Sequence, residues 1–267
     1  MGRLFVSCLL VGLIIGPSAS LSDQIIFKDA QGRVLRMSDL KGASGSVDWE
    51  VRAGKPVPEE AARLHEKGRA AGRQGDSEAA LGLFREASEI APDWPYPVYD
   101  AAFTHLLQQD FEKAYELYRT VDAMAPRGFF TAKTAVDVLG KEMRGELPAG
   151  IYLFHVSLEW ETDPAKKLQA VVQLTEKVPQ FAPAWAERAK LESDDGARLK
   201  ALERGLAADP DPETLGFLLI NKAVVLANAG REDEAVEILG QLTLDPASTL
   251  GVEQVAKSTL ALLFDAK

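Results

Sequence analysis

Sulfur and imidazole are scarce in this chain. Its 267 residues include one cysteine, Cys8, and three histidines, His65, His105 and His155. A lone cysteine excludes an internal disulfide framework and a zinc site built on cysteine pairs. No histidine stands three or four residues from another, so no helical metal-binding pair exists. A Gly-x-Ser-x-Gly elbow and a Gly-x-x-x-x-Gly-Lys-Ser/Thr phosphate loop are also missing. No apolar run approaches the ~20 residues of a spanning helix. Positive charge is in deficit: 30 Lys+Arg stand against 40 Asp+Glu, a net −10 that leaves no general phosphate-neutralising surface. Nucleic acid is therefore not an expected partner. With no constellation to carry a reaction, the chain is expected to be a non-enzyme without metal or cofactor. Apolar residues make up 46% and charged residues 26%, the balance of a folded globular protein.

The N-terminus has the layout of a secretory signal peptide. Arg3 is followed by the uncharged run from Leu4 to Ile15, then Gly16-Pro17 and the small residues Ser18-Ala19-Ser20. Cleavage after Ser20 is expected, which sends the mature chain to the periplasm or beyond. Cys8 lies inside the apolar run and not after it, a poor placement for lipidation. Loss of residues 1–20 leaves a mature chain with no cysteine, which must hold together by packing alone.

Residues 21–57 differ from the remainder of the chain. Gln24–Lys28 and Arg33–Met37 are short apolar and β-branched runs around the turn Asp29-Ala30-Gln31-Gly32, and Val47–Val51 alternates apolar and polar. This predicts a small β-hairpin or meander resting on helices, since a hairpin alone is marginal. From Glu59 the apolar residues recur with helical period. Breaks such as Gly75-Asp76, Pro92-Asp93, Gln109-Asp110 and Pro126-Arg127-Gly128 punctuate that pattern. Their close spacing predicts helices of three to four turns joined by tight loops.

The breaks repeat at a fixed interval. One constant shift lays Asp76 on Asp110, Glu78 on Glu112, Ala80 on Ala114, Phe84 on Tyr118 and Pro92 on Pro126. Each unit reads Ala-x-x-x-aromatic and then proline two turns on. On these residues, and on a period of about 34 residues, the chain resembles the tetratricopeptide-repeat family. The resemblance implies an all-α solenoid of helical hairpins, about twelve helices over 58–267, behind the small N-terminal β element. Clear repeats fall at 61–94 and 95–128, degenerate ones at 148–181 and 182–212, a further repeat at 213–246 and a capping helix at 249–264. Residues 129–147 pair with neither side and stand as one extra helix or part of a repeat. His155 occupies a helix-crossing position that usually takes Gly or Ala, so it is expected to be largely buried.

The resemblance also implies a function and a place for it. Arrays of this family bind peptides or proteins in a concave groove lined by the first helix of each repeat. The matching positions are Ala62, His65, Arg69, Gly72 and Arg73 in the first repeat, then Tyr96, Tyr99, Phe103, Leu106 and Leu107 in the second. His65, Arg69, Arg73, Tyr96, Tyr99 and Phe103 are thus the candidate groove, a basic edge beside an aromatic floor suited to an acidic or C-terminal carboxylate group. The family's carboxylate-clamp variety has Lys and Asn at these positions, where this chain has His65 and Arg69 instead and Phe103 in place of Asn. Tyr96, Tyr99 and Phe103 share one helix face, a pattern that serves a core equally well. A non-catalytic interaction scaffold of the bacterial envelope is the reading these positions favour. A small-molecule or carbohydrate site at Trp94–Tyr99, or an undetected hydrolase activity, is the alternative.

Overall fold

The computed structural model describes residues 57–265 without a break, with side-chain surroundings to 263, and before them only the backbone segments 4–6, 25–28, 34–35 and 45–51. The expected signal peptide and the Cys8 question thus fall almost wholly outside the described residues. Twelve α-helices occupy the continuous part. They group into two compact units, one within Lys55–Ser157 and the other within Leu158–Lys267.

The first unit holds α1 (Glu59–Arg73), α2 (Ser77–Ile90), α3 (Pro95–Leu107), α4 (Phe111–Met124), α5 (Ala132–Met143) and α6 (Ile151–Ser157). Helices α1 and α2 pair, α3 and α4 pair, and α5 stacks on α4. The repeat is visible in the packing. Ala80, Phe84 and Ala87 of α2 are buried, and so are Ala114, Tyr118 and Val121 of α4, one repeat on. Aspartates start both second helices: Asp76 accepts from the Ala79 amide and Asp110 from the Lys113 amide. Each thereby satisfies an orphan donor of the first turn. Gly68 is where α1 meets α2. A Cβ there would lie 2.6 Å from the Phe84 ring. The tight turn before each capping aspartate needs left-handed backbone, supplied by Gly75 (φ 82°) in the first hairpin and by Gln109 (φ 62°) in the second.

The second unit holds α7 (Pro164–Lys177), α8 (Ala182–Leu191), α9 (Asp195–Leu206), α10 (Pro212–Asn228), α11 (Glu232–Leu244) and α12 (Leu250–Asp265), after a 3₁₀ turn at Leu158–Trp160. Aspartates again cap: Asp163, Asp194 and Asp211 accept amides of the helices they precede. The core is aliphatic. Ile220, Leu239, Val252 and Val255 join α10, α11 and α12, and Leu202, Leu218 and Val225 join α9 to α10. Gly216 admits Val252, whose side chain stands 2.3 Å from where a Cβ would be.

The continuously described part, residues 57–265, is all-helical, and the N-terminal β-hairpin is not supported as part of that fold. Backbone pairs join Ile25–Lys28 to Val34–Leu35 and Gly45–Val51. The intervening turn and every strand side chain lie outside the described residues. His155 is partly buried, with its Nδ1 shielded from solvent. It lies on the short helix α6, seven residues long, and not at a long helix crossing.

Candidate functional site

Helices α1 and α3 run side by side as the first helices of successive hairpins. Their register is set by His65 of α1, whose Nε2 lies 2.8 Å from Oδ2 of Asp100 on α3. One turn along α1, the Arg69 Nε is 3.6 Å from the same oxygen. One turn further, Arg73 pairs with Glu66 of its own helix at 3.3 Å. All three residues of the expected basic edge therefore have a carboxylate already. Asp100 adjoins Tyr99 in the chain, so the sequence did carry its signal: an acid on the second repeat's inner face, one position beyond the residue that matches His65.

The aromatic floor lies deeper than the sequence implied. Tyr99 is 1% exposed, Tyr96 8% and His65 6%. The loop between α4 and α5 packs on the two tyrosines. Phe129 stands 4.8 Å from the Tyr96 ring, edge to face, and Phe130 5.4 Å from the Tyr99 ring. Phe130 reaches that place on left-handed backbone (φ 46°), a strained conformation for an aromatic residue. On the other side Trp94 meets His65 edge-on at 4.8 Å. Burial leaves no Trp94 face free to stack a sugar. Thr131 stands at the start of α5, yet its side chain makes no capping bond. Its Oγ1 instead bonds the Tyr99 hydroxyl at 2.7 Å and accepts from the Tyr152 hydroxyl at 3.2 Å. Tyr118 packs between these two tyrosines, and burial drives its phenol well above the usual range.

What α1 and α3 leave accessible is smaller than the six-residue site read from the sequence. Arg69 and Phe103 are half-buried, Arg73 is exposed and Leu107 is 44% exposed. Arg69 and Arg73 are one helical turn apart, as are Phe103 and Leu107, so each pair lines one face. The accessible strip thus stands on a floor of His65, Tyr96 and Tyr99 that is locked by packing.

Two buried glutamates show how differently the units use charge. Glu142, at the end of α5, accepts the Gly150 amide at 2.6 Å and the Tyr152 amide at 2.8 Å, closing the start of α6. Burial pushes its carboxyl up, against the pull of those two amides. Glu187 of α8 bonds Lys167 of α7 at 2.8 Å and Lys190 of its own helix at 2.9 Å. Burial alone would raise its carboxyl too, but Lys190 and Lys167 together hold it far below the usual range. A polar cleft of about 290 Å³ lies among α9, α10 and α11, with Glu203, Lys222 and Glu237 on its walls. Sequence reasoning singles out none of these residues. Arg231 at its mouth is tied to Glu234 at 2.5 Å. Among the described residues no three His, Cys, Asp or Glu side chains gather as metal ligands, and no helix is long and apolar enough to cross a membrane.

Residues 216–241, within α10 and α11, match the family model described as tetratricopeptide repeat. No curated protein matches the chain. Among solved structures, the chain is similar to MamA (residues 41 to the end) of Desulfovibrio magneticus RS-1, at 13% identity over 75% of this chain and 98% of that one, with a TM-score of 0.34. A thermophilic TPR protein of Thermus thermophilus is 18% identical over 75% of this chain and 99% of its own, with a TM-score of 0.33. The yeast Sti1 TPR2AB domain, in a complex with pHSP90, is 14% identical over 77% of this chain and 86% of its own, with a TM-score of 0.35.

Proposed function

We propose that this chain, a tetratricopeptide-repeat protein, is a non-catalytic scaffold that holds a peptide or protein partner against the inner face of α1 and α3. The observation that carries the reading is the accessible strip Arg69, Arg73, Phe103 and Leu107 on its buried aromatic floor. Stacked hairpins offer an extended surface of the kind repeat proteins use for binding. A floor that needs no rearrangement lowers the ordering cost of association. The order of charge, apolar run and small residues in 1–20 supports export, so the partner belongs to the cell envelope or beyond it.

The test has two parts. N-terminal sequencing of the protein recovered from cells should begin at or near Leu21. Recovery from the cytosol with Met1 or Gly2 in place would refute export. The mature protein, coupled through its C-terminus, should capture a defined envelope protein from extract. The double variant Phe103→Ser/Leu107→Ser should lose it while keeping the helical circular dichroism of the parent. Undiminished capture would place the binding surface elsewhere.

A further inference from the structure

We infer that the segment bound along α1 and α3 is uncharged and apolar-anchored, not acidic. This rests on the scaffold reading and narrows it. A basic groove selects acidic ligands only when its cations lack partners, because a guanidinium already bonded to a carboxylate gains little by exchanging one anion for another. Here the expected basic edge is compensated from within. Asp100 serves His65 at 2.8 Å and Arg69 at 3.6 Å, and both partners of the His65 contact are largely shielded from solvent. An incoming carboxylate would meet Asp100 itself, a like charge close to Arg69. Glu66 does the same for Arg73 nearer the surface. The two ion pairs orient both guanidinium heads toward acids of α1 and α3, which leaves the methylene stems of Arg69 and Arg73 as cover for apolar contact.

Phe103 and Leu107 are the large apolar side chains of α3 that solvent still reaches, the first half-buried and the second 44% exposed. They stand one turn apart on α3, level with Arg69 and Arg73 in the register that His65 and Asp100 define. An apolar pair flanked by alkyl stems and capped at its edges by self-neutralised charges fits leucine, isoleucine, phenylalanine or methionine anchors of a partner segment. Both guanidinium groups of the strip are already paired, so a terminal carboxylate gains little there. Association through such a strip is driven by removal of apolar area from water and is largely indifferent to ionic strength.

The probe is a random dodecapeptide library displayed with free carboxyl termini and selected on the full mature protein at moderate salt. The expected result is a consensus with two apolar anchors and no excess of Asp or Glu. Synthetic consensus peptides should bind with affinity changed less than about twofold between low and high salt. Phe103→Ser should cost about thirtyfold, as for a central anchor. Leu107→Ser, at a more exposed position, provides the same readout if Phe103→Ser does not fold. Arg73→Glu should cost less than about threefold. A consensus rich in Asp and Glu, or one that needs the free carboxyl terminus and fades with salt, overturns this inference and leaves the scaffold reading intact. No enrichment, or peptides indifferent to both serine variants, overturns both.

Discussion

Two ways of burying polarity sit in one chain. In the first unit polar groups go inside as hydroxyls on aromatic rings: Tyr99, Tyr118 and Tyr152 pack edge to face, and Thr131 gathers the hydroxyls of two of them. In the second unit the two helix-joining clusters are built of leucine, isoleucine, valine and alanine, and beside buried hydroxyls such as Thr175 and Thr249 polarity also enters as charge. Glu187 sits between Lys167 and Lys190, and Arg198, 5% exposed, donates to the Glu192 carbonyl and to Asp195. A neutral hydroxyl needs a partner but carries no large desolvation cost, whereas a buried ion must be matched or it becomes a fault. Loss of the Tyr99 cluster should therefore act through shape, and loss of Glu187 through charge.

The largest effect should come from Tyr99→Ala. It removes a fully buried ring, its contacts with Tyr118, Phe129 and Phe130, and a hydrogen bond. Truncations of this size cost about 3–5 kcal/mol. Urea denaturation should show the loss, and amide exchange should locate it in α1–α6. A variant as stable as the parent would mean that the floor is not core.

Glu187→Gln comes next. Without the carboxylate, Lys167 and Lys190 face each other across a largely buried gap, and breaking such a site costs about 3 kcal/mol. The folded carboxyl is held below its unfolded value, so its contribution is complete above the unfolded pKa and is lost as pH falls through the folded value. The gap between parent and variant should thus be wide at neutral pH and narrow under acid. An unchanging gap would mean that Glu187 does not act through its charge.

Glu142 should behave in the opposite sense. Its folded pKa is raised, so the fold disfavours the ionised form, and stability is gained as pH falls through that raised value toward the unfolded one. The parent should therefore gain stability relative to Glu142→Gln between neutral and mildly acidic pH, the reverse of Glu187. Thermal melts of both variants at matched pH values check the pair of signs together. The smallest effect belongs to Gln109→Gly. Left-handed backbone is costly for glutamine and free for the glycine that holds the same place in the first hairpin. A gain of less than about 1 kcal/mol is expected, since glycine also raises the entropy of the unfolded chain.

The helices and their pairing were largely legible in the sequence, because one constant spacing repeats both the capping aspartates and the buried Ala-aromatic pairs. The state of Tyr99 was not. Spacing places Tyr96, Tyr99 and Phe103 on one face of α3 but is silent on what covers that face. The cover comes from Phe129 and Phe130, in the stretch where the repeat fails. The basic edge misled for a related reason. The sequence shows Arg69 and Arg73 along their own helix, whereas Asp100 arrives from the next hairpin. Glu142 could not be assigned at all, since its partners are the Gly150 and Tyr152 backbone amides, which no side-chain pattern announces.

Thr131 has a consequence for a chain that is still being made. The rings that shield Tyr99 on that side, and the hydroxyl it bonds, lie C-terminal to α4. A nascent chain that has delivered the first two hairpins as far as Met124 still lacks the Phe129 and Phe130 rings that pack on Tyr96 and Tyr99. The whole loop after Met124 must emerge before Thr131 can reach the Tyr99 hydroxyl. Until then the partial chain is sticky, a natural client for a holding chaperone. Fragments that stop at the second hairpin should aggregate, while fragments carried through α5 should not.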